Sequence, residues 1–283
     1  MAQIIGGVAT SHVPAIGGAM AKGLQQDPYW KPFFDGFGKA RKWLAEAPPD
    51  AVVVFYNDHG LNFFLDKMPT FAVGAAAQYP NADEGWGLPV CRPYRGDQAL
   101  SWHIIEQLVA DEFDVTTCQE MLVDHAFTIP MQLLWPDSEP PPAIPIAINT
   151  VQHPLPSPAR CLRLGRSVGR ALAGWPGAQR VLVLATGGLS HQLDGQRAGF
   201  INKAFDMAFL DQLVAGPEAI CRHSIRDIVE QAGTQGVELL MWLAMRGALR
   251  GPVRRAHQNY HIPISNTAAC LLVLEPERAV ATA

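Results

Sequence analysis

Apolar residues recur along the chain with two different periods. Short runs rich in β-branched and aromatic residues, bounded by Gly, Pro, Asn or Asp, predict strands. The predicted strands are residues 4–10, 51–56, 70–74, 143–150, 180–186 and 270–274, with a weaker candidate at 252–260. Between them, apolar residues recur every three or four positions, which predicts helices. The predicted helices are residues 31–47, 97–111, 157–172, 197–213 and 237–249.

This alternation predicts an α/β fold formed by a single domain over residues 1–283. The runs "VVVFY" and "VLVLAT" are apolar on both faces, as expected in a largely parallel or mixed central sheet flanked by helices. Ligands of such sheets bind at the carboxyl ends of the strands. Two long connections, residues 79–96 and 135–145, are rich in Pro, and the second is expected to stay outside any central ladder.

Composition and charge limit the possible partners. The 283 residues carry a net charge of -4, and Lys and Arg form no basic stripe, so nucleic acid is not expected as a partner. No run of 18 apolar residues is present, and no basic segment precedes an apolar run at the N-terminus. We therefore expect no membrane association and a cytoplasmic location. The five cysteines are widely spaced, which predicts buried free thiols rather than disulfides.

Three histidines follow predicted strands at the point where each strand ends. His12 follows "IIGGVAT", His59 follows "VVVFYN" and His191 follows "VLVLATGGLS". If these strands are parallel, the three imidazoles lie at the same edge of the sheet. Histidine is both the commonest metal ligand and a proton carrier near neutral pH. The three together predict a common site, although each alone would fit an ordinary turn equally well.

A metal held by these histidines needs an anionic ligand. The candidates are Asp58, Glu84, Asp124 and Glu238. Glu238 is favoured because it interrupts the apolar stretch "VELLMWLAM" near a helix start, where a buried carboxylate needs a partner. With His12 and His59 it would form the two-histidine, one-carboxylate face of non-haem Fe(II) enzymes. The same ligands would hold zinc for hydrolysis, and their spacing does not choose between the metals.

Several longer segments carry a resemblance to a known family. They are "TSHVPA", "FYNDH", "ADEGWG", "VDHAFTIP", "TGGLSHQLDGQRAGFINKAFD", "GVELLMWLAMRGAL" and "YHIPISNTA". In this order they resemble type III (LigB-like) extradiol ring-cleaving dioxygenases, in particular the β subunits of protocatechuate 4,5-dioxygenases. The resemblance covers almost the whole chain. Each segment alone is a weak signal, and the ordered set is a strong one.

The resemblance implies catalytic and metal-binding roles for five residues. Its iron ligands fall on His12, His59 and Glu238. His191 matches the catalytic acid/base, and His125 matches a second catalytic histidine that contacts a substrate hydroxyl. The implied cofactor is Fe(II).

The resemblance also implies a substrate pocket and a reaction. Asn57 belongs to the pocket, and the loop of Ser265, Asn266 and Thr267 would receive a substrate carboxylate. Asn57 and Thr267 would also suit a purely structural role in their turns. The implied reaction is the opening of a carboxylated catechol, with protocatechuate cleaved at the 4,5 bond to a hydroxymuconate semialdehyde, as in lignin degradation. Gallate or 3-O-methylgallate is the alternative substrate, and a non-catalytic interaction module of the same fold ranks third.

Partners follow from the same resemblance. The small molecules are a catechol acid and dioxygen. The protein partner is a small α subunit that covers the mouth of the site in a hetero-oligomer, or a second copy of the chain in a homodimer where no such subunit exists.

Overall fold

A computed structural model describes residues 1–85, 87–88, 90–177, 179–264 and 266–277. Its strands are β1 (Gln3–Thr10), β2 (Ala51–Tyr56), β3 (Phe71–Gly74), β4 (Gln78–Tyr79), β5 (Tyr94–Arg95), β6 (Thr116–Cys118), β7 (Ala143–Ile148), β8 (Arg180–Thr186), β9 (Val253–Ile264) and β10 (Thr267–Pro276). Its helices are α1 (Pro14–Ala21), α2 (Lys31–Glu46), α3 (Gln98–Ala110), α4 (His125–Leu134), α5 (Pro158–Gly174), α6 (Lys203–Ala215), α7 (Ile225–Ala232) and α8 (Leu239–Ala248). Short 3₁₀ turns occur at Leu24–Gln26, Pro217–Arg222 and Gly236–Glu238.

The main sheet has eight strands in the order β6-β3-β7-β2-β8-β1-β10-β9, and β4 and β5 form a separate two-stranded antiparallel sheet. Its four central strands, β7, β2, β8 and β1, are mutually parallel. The β3, β9 and β10 strands introduce antiparallel pairs toward the edges. The predicted mixed α/β sheet is therefore confirmed, with its parallel part at the centre.

The central strands are apolar on both faces because helices cover both. All six residues of β2 are fully buried. Val53 and Phe55 pack into one core with α3, α5 and α8, while Val52 and Val54 pack into a second core with α2 and α4. Successive side chains of β2 point to opposite faces, and both faces are buried. The sequence therefore shows an unbroken apolar run here rather than an alternation with polar residues.

One prediction about the loops is wrong. The Pro-rich segment 135–145 was expected to stay outside a central ladder, but its last three residues begin β7, and Pro145 pairs with Val54 of β2. Pro145 is tolerated because the ladder between β7 and β3 begins one residue later, at Ile146.

Several elements extend or shift relative to the sequence-based boundaries. Helix α6 begins at Lys203, six positions later than predicted, because the side chain of Asn202 caps it by accepting a hydrogen bond from the Phe205 N–H. Strand β9 is longer than the weak strand predicted at residues 252–260.

All five cysteines are free thiols, of which only Cys161 and Cys270 are buried. In the described ranges no helix is both long and apolar enough to cross a bilayer.

Helices α5 and α8 pack unusually closely on one face of the sheet. A methyl group placed on Gly165 would lie 1.9 Å from the carbonyl oxygen of Ala244, and one on Gly247 would lie 2.4 Å from that of Leu162. The two backbones therefore touch directly. This contact fixes the position of α8, the helix that directly follows Glu238.

We expect Gly165→Ala to destabilise the protein by about 1–3 kcal/mol, since the added methyl must push α8 away from α5. Thermal denaturation measures the change. Gly38→Ala is the matched control, because Gly38 is a helical glycine of α2 with open space around it. Ala has the higher helix propensity, so this substitution should leave stability unchanged or raise it by up to about 1 kcal/mol. Equal melting temperatures for the two variants would contradict the close contact.

Candidate metal centre

The parallel register brings the predicted histidines to one edge of the sheet. Thr10 at the end of β1 pairs with Thr186 at the end of β8, and Phe55 of β2 pairs with Ala185. The chain segments that leave these three adjacent strands carry His12, His191 and His59. All three side chains line one cavity of about 570 Å³, as the sequence predicted from strand ends.

Glu238 also lines this cavity, from the turn directly before α8. It is 6% exposed, so it is buried rather than part of a solvated first turn. Gly187 makes room for it, because this residue has φ +129° and a methyl group there would lie 2.8 Å from Cβ of Glu238. The N–H of Gly188 donates to Oε2 of Glu238 at 2.7 Å. The glycine pair after β8 therefore admits the carboxylate and binds it.

Three imidazoles surround the Glu238 carboxylate. Nε2 of His12 lies 3.3 Å from Oε1, and Nε2 of His59 lies 4.0 Å from the same oxygen. Nε2 of His191 lies 3.7 Å from Oε2. The structure thus brings together the four residues that the sequence placed at the centre of the site.

The Nδ1 atoms of two of these imidazoles have hydrogen-bond partners on the side away from Glu238. Nδ1 of His12 lies 3.2 Å from Oγ1 of Thr186, and Nδ1 of His59 lies 2.9 Å from Oδ2 of Asp124. Metal-binding histidines commonly use one ring nitrogen for the metal and the other for such a partner. Nε2 of His12 therefore faces Glu238 while its other ring nitrogen is occupied. Nε2 of His59 lies 4.0 Å from Glu238 and 3.2 Å from Nδ2 of Asn57, so a metal bound at His59 would displace that amide contact. The donor set of this site fits a divalent transition metal.

His125 adds a fourth imidazole at the first position of α4. Its ring centroid lies 4.2 Å from that of His59 and 5.4 Å from that of His12. His12, His59 and His125 can each place one ligand atom within 4.8 Å of the others. The three imidazoles are therefore an alternative ligand set to His12, His59 and Glu238, in which the two Nε2 atoms lie 3.3 and 4.0 Å from Oε1 of Glu238.

His191 is held in a form suited to accepting a proton. Its Nδ1 lies 2.9 Å from the carbonyl oxygen of Leu189, and because a carbonyl only accepts, Nδ1 carries the hydrogen. In the neutral ring Nε2 is then the basic nitrogen, and it is the atom that faces Glu238. The preceding residue, Ser190, donates from its N–H and its hydroxyl to the buried carboxylate of Asp206. The Tyr260 hydroxyl donates to Asp206 at 2.8 Å, which completes the support.

Two buried polar atoms in the cavity wall have no partner among the described residues. They are Oδ1 of Asn57 and Oγ1 of Thr150. A buried acceptor left unsatisfied costs about 1–3 kcal/mol, which a bound ligand or water can recover. Thr150 follows β7, the fourth central parallel strand, and the sequence reading did not identify it. Its signal was its place as the last residue of the predicted strand 143–150, where no histidine drew attention to it.

The remaining candidates are divided between the wall and other roles. Thr267 is buried in the cavity wall, whereas Asn266 beside it is exposed with φ +60°. Ser265 lies outside the described residues. Asp58 accepts N–H groups from its own loop, at Gly60 and Leu61 among others, so it shapes that loop rather than facing the metal donors.

Comparison with known proteins identifies the family. Residues 6–271 match the family described as the catalytic LigB subunit of aromatic ring-opening dioxygenase. The chain belongs to this family. The resemblance drawn from the sequence segments is thereby confirmed for nearly the whole length.

Two proteins that are similar in sequence to this chain have named activities. A gallate dioxygenase from Pseudomonas putida is 38% identical over 201 residues, which are 70% of this chain and 59% of that protein. A 2,3-dihydroxyphenylpropionate/2,3-dihydroxicinnamic acid 1,2-dioxygenase from Rhodococcus jostii is 31% identical over 257 residues, 75% of this chain and 80% of that protein. The match to gallate dioxygenase thus spans less than two thirds of its length.

A solved structure shares the fold of this LigB family chain. The uncharacterized protein JW3007 from Escherichia coli K12 superposes with a TM-score of 0.62, covering 96% of this chain and 99% of that one. Its sequence identity is 16%, so the comparison supports the α/β architecture alone.

Charge within the LigB site is strongly coupled. Burial disfavours ionisation of Glu238, but the imidazoles of His12, His191 and His59 outweigh it and hold the pKa of this carboxyl well below its usual range. Burial likewise opposes a charge on His59, but its hydrogen bond to Asp124 and the nearby carboxylates raise its pKa from 6.5 to about 9. Burial lowers the pKa of His125 despite its bond to Glu84.

We expect metal affinity to rise with pH over the range set by His59. Between about 6.5 and about 9 the metal-free ring keeps its proton, and a metal must displace that proton to bind Nε2. One displaced proton gives an apparent affinity that rises by up to about tenfold per pH unit and levels off above the raised pKa. Competition between the protein and a chromophoric chelator for Zn²⁺ measures this course.

Asp124→Asn tests the cause of that pH dependence. Without the Asp124 charge the pKa of His59 falls, so the rise in affinity should move to lower pH. Asp114→Asn, which changes an exposed carboxylate, is the control and should follow the wild type. A wild-type affinity that is flat across this range, or an unchanged course in Asp124→Asn, would refute the assignment.

Proposed function

We propose that this chain is the single catalytic domain of an Fe(II)-dependent extradiol dioxygenase that opens a catechol bearing a carboxylate. Protocatechuate, cleaved at the 4,5 bond to a hydroxymuconate semialdehyde, is the proposed substrate. One observation carries the proposal: Nε2 of His12 and Nε2 of His59 converge on one oxygen of Glu238, while Nε2 of His191 lies at the other. His12, His59 and Glu238 are the proposed iron ligands, because non-haem Fe(II) oxygenases use this ligand face.

Family membership favours iron over zinc at this site. Opening an aromatic ring with dioxygen is a redox reaction, and zinc has no redox chemistry. Bound Fe(II) would supply a redox-active Lewis acid at which the catechol and dioxygen meet. Zinc-dependent hydrolysis therefore ranks below ring opening.

His191 is the proposed proton carrier. Its Nε2 is the basic nitrogen of the neutral ring, so it can take the proton of a catechol hydroxyl and return it as the ring opens. The carbon–carbon bond beside that hydroxyl breaks. Both atoms of dioxygen end in the product, one in a new carboxylate and one in the aldehyde. His191 needs no bond to the metal for this role.

The remaining pocket residues are proposed to bind the organic substrate. His125 and Asn57 would contact its hydroxyl groups, and the loop of Ser265, Asn266 and Thr267 would receive its carboxylate. The burial of Thr267 in the wall supports its part of this role. The cavity volume of about 570 Å³ suits a single-ring acid.

Gallate is the second candidate substrate, with 3-O-methylgallate as a variant of it. The 38% identity to a gallate dioxygenase is the observation that favours it. Gallate differs from protocatechuate by one hydroxyl, so the same metal ligands and proton carrier serve both. The unpartnered Oγ1 of Thr150 is a wall atom that could accept or donate to such an additional hydroxyl.

A covering chain is proposed over the mouth of the site. Val151 and Leu193 line the cavity and remain 52% and 53% exposed, so part of its rim is apolar and open to water. A small α subunit, or a second copy of this chain, would cover these side chains and exclude water from the reaction.

Anaerobic purification, loading with Fe(II) and oxygen-uptake measurements test the proposed function. Protocatechuate should support uptake with a ring-opened product, and the ratio of kcat/KM values for protocatechuate, gallate and 3-O-methylgallate should identify the preferred acid. The trial is run with and without a candidate α subunit. No uptake with any of the acids in either condition would exclude the proposed enzyme and favour a non-catalytic module.

His191→Ala and Glu238→Ala should fail in different ways. His191→Ala should retain iron and bind the catechol but lose about 10²–10⁴-fold in kcat, because only proton transfer is removed. Glu238→Ala should lose iron. Metal analysis, anaerobic catechol binding and kcat distinguish the two, with His223→Ala, outside the cavity wall, as the control. Loss of iron from His191→Ala would show that His191 is a ligand.

A further inference from the structure

A second carboxylate–histidine pair lies beside the proposed centre. Oε1 of Glu84 accepts the backbone N–H of His125 at 2.6 Å, and Oε2 lies 2.5 Å from Nδ1 of the same residue. The Glu84 side chain is 7% exposed and that of His125 is 2% exposed. A buried carboxylate that binds one residue through both oxygens fixes the backbone and the ring of that residue together.

We propose that Glu84 is a positioning residue that sets the ring orientation and the tautomer of His125. A carboxylate only accepts hydrogen bonds, so Nδ1 of His125 carries the hydrogen and Nε2 is left as an acceptor. An acceptor Nε2 can receive a hydrogen bond from a substrate hydroxyl, whereas the other tautomer would meet that hydroxyl with a second hydrogen. The inference rests on the proposed function, because the consequence concerns a hydroxylated substrate.

Two backbone hydrogen bonds hold the segment that carries Glu84 in place. The N–H of Ala82 donates to the carbonyl of Val123, and the N–H of Val123 donates to the carbonyl of Pro80, both at 2.9 Å. This short parallel bridge joins the loop to the segment that directly precedes His125. Glu84 therefore reaches His125 from a segment that is tied to α4, not from a loose surface loop.

Glu84, Asp124 and His125 also lie close enough to be considered as a separate metal site. Their hydrogen bonds favour a different interpretation. Both oxygens of Glu84 are directed to His125, and Asp124 accepts from His59 through one oxygen and from the Ala126 N–H through the other. The cluster is thus two adjacent carboxylate–histidine pairs that orient the imidazoles of the main site.

Glu84→Gln tests the proposal because an amide has only one acceptor atom. Glu84 uses one oxygen for the backbone N–H and the other for Nδ1, so a Gln that keeps either hydrogen bond in this geometry places its NH2 group at the other donor. We expect the His125 tautomer to shift toward Nε2–H, and kcat/KM of the Fe(II)-loaded enzyme for protocatechuate or gallate to fall about 10- to 100-fold. Glu84→Asp keeps two acceptors and should recover part of the loss. Asp83→Asn, which changes the exposed neighbouring carboxylate, should match the wild type.

Two readouts separate positioning from a general loss of structure. The first is ¹⁵N NMR of the histidine rings in the Zn²⁺-loaded full chain, with His125→Phe assigning the signals; it reports the tautomer without turnover. The second is a double-mutant cycle: in a His125→Ala background, Glu84→Gln should cause no further loss of kcat/KM.

Three outcomes would overturn the proposal. The first is an unchanged His125 tautomer in Glu84→Gln, and the second is an equal loss of kcat/KM from Glu84→Gln in the wild-type and His125→Ala backgrounds. The third is a loss of kcat/KM in Asp83→Asn equal to that in Glu84→Gln. If the Gln variant does not fold, Glu84→Asp answers through the same cycle, since its smaller loss should also vanish without the His125 ring. A wild type that opens no catechol would remove the proposed function but leave the tautomer measurement valid.

Discussion

The buried carboxylate of Glu238 is the constraint on which this site depends. An anion that is 6% exposed must be compensated by nearby donors or cations. Here the compensation comes from the N–H of Gly188 and from three imidazoles on the segments that follow the parallel strands β1, β2 and β8. The carboxylate can reach them only because α8 packs directly against α5 and because Gly187 leaves room beside β8. The compensation of this one buried charge therefore depends on the sheet register, on the helix packing and on the glycine pair.

A second set of contacts determines which atom each imidazole presents. Thr186 lies behind His12, Asp124 behind His59, and the Leu189 carbonyl behind His191. Each of these groups occupies Nδ1, so each ring presents Nε2 to the Glu238 carboxylate. The chemistry of the site thus depends on residues that need not touch a metal or a substrate. In the proposed function this layout separates metal binding, assigned to His12, His59 and Glu238, from proton transfer, assigned to His191.

The fold was largely predictable because local burial leaves a periodic signal. The central strands were recognised from continuous apolar runs, since helices cover both of their faces. Helix α4 was missed for the same physical reason: nearly all of its residues are buried, so it lacks a polar face, and Pro130 lies inside it. Helix α1 was missed because it is short and contains two glycines. The Pro-rich segment 135–145 misled the prediction where it overlaps the predicted strand 143–150, because Pro145 lies within β7 and its tolerance depends on where the neighbouring strand begins to pair.

The sequence by itself determined the alternation of strands and helices, the residue types at the strand ends and the anomaly of a glutamate in an apolar helix. Those features depend on neighbours along the chain, so they can be read from one segment at a time. The tertiary structure alone decided which carboxylate pairs with which imidazole. Glu84 and His125 are separated by 41 positions, and His59 and Asp124 by 65. Such pairs depend on strand order and on where loops return to the sheet edge, and no local periodicity encodes either.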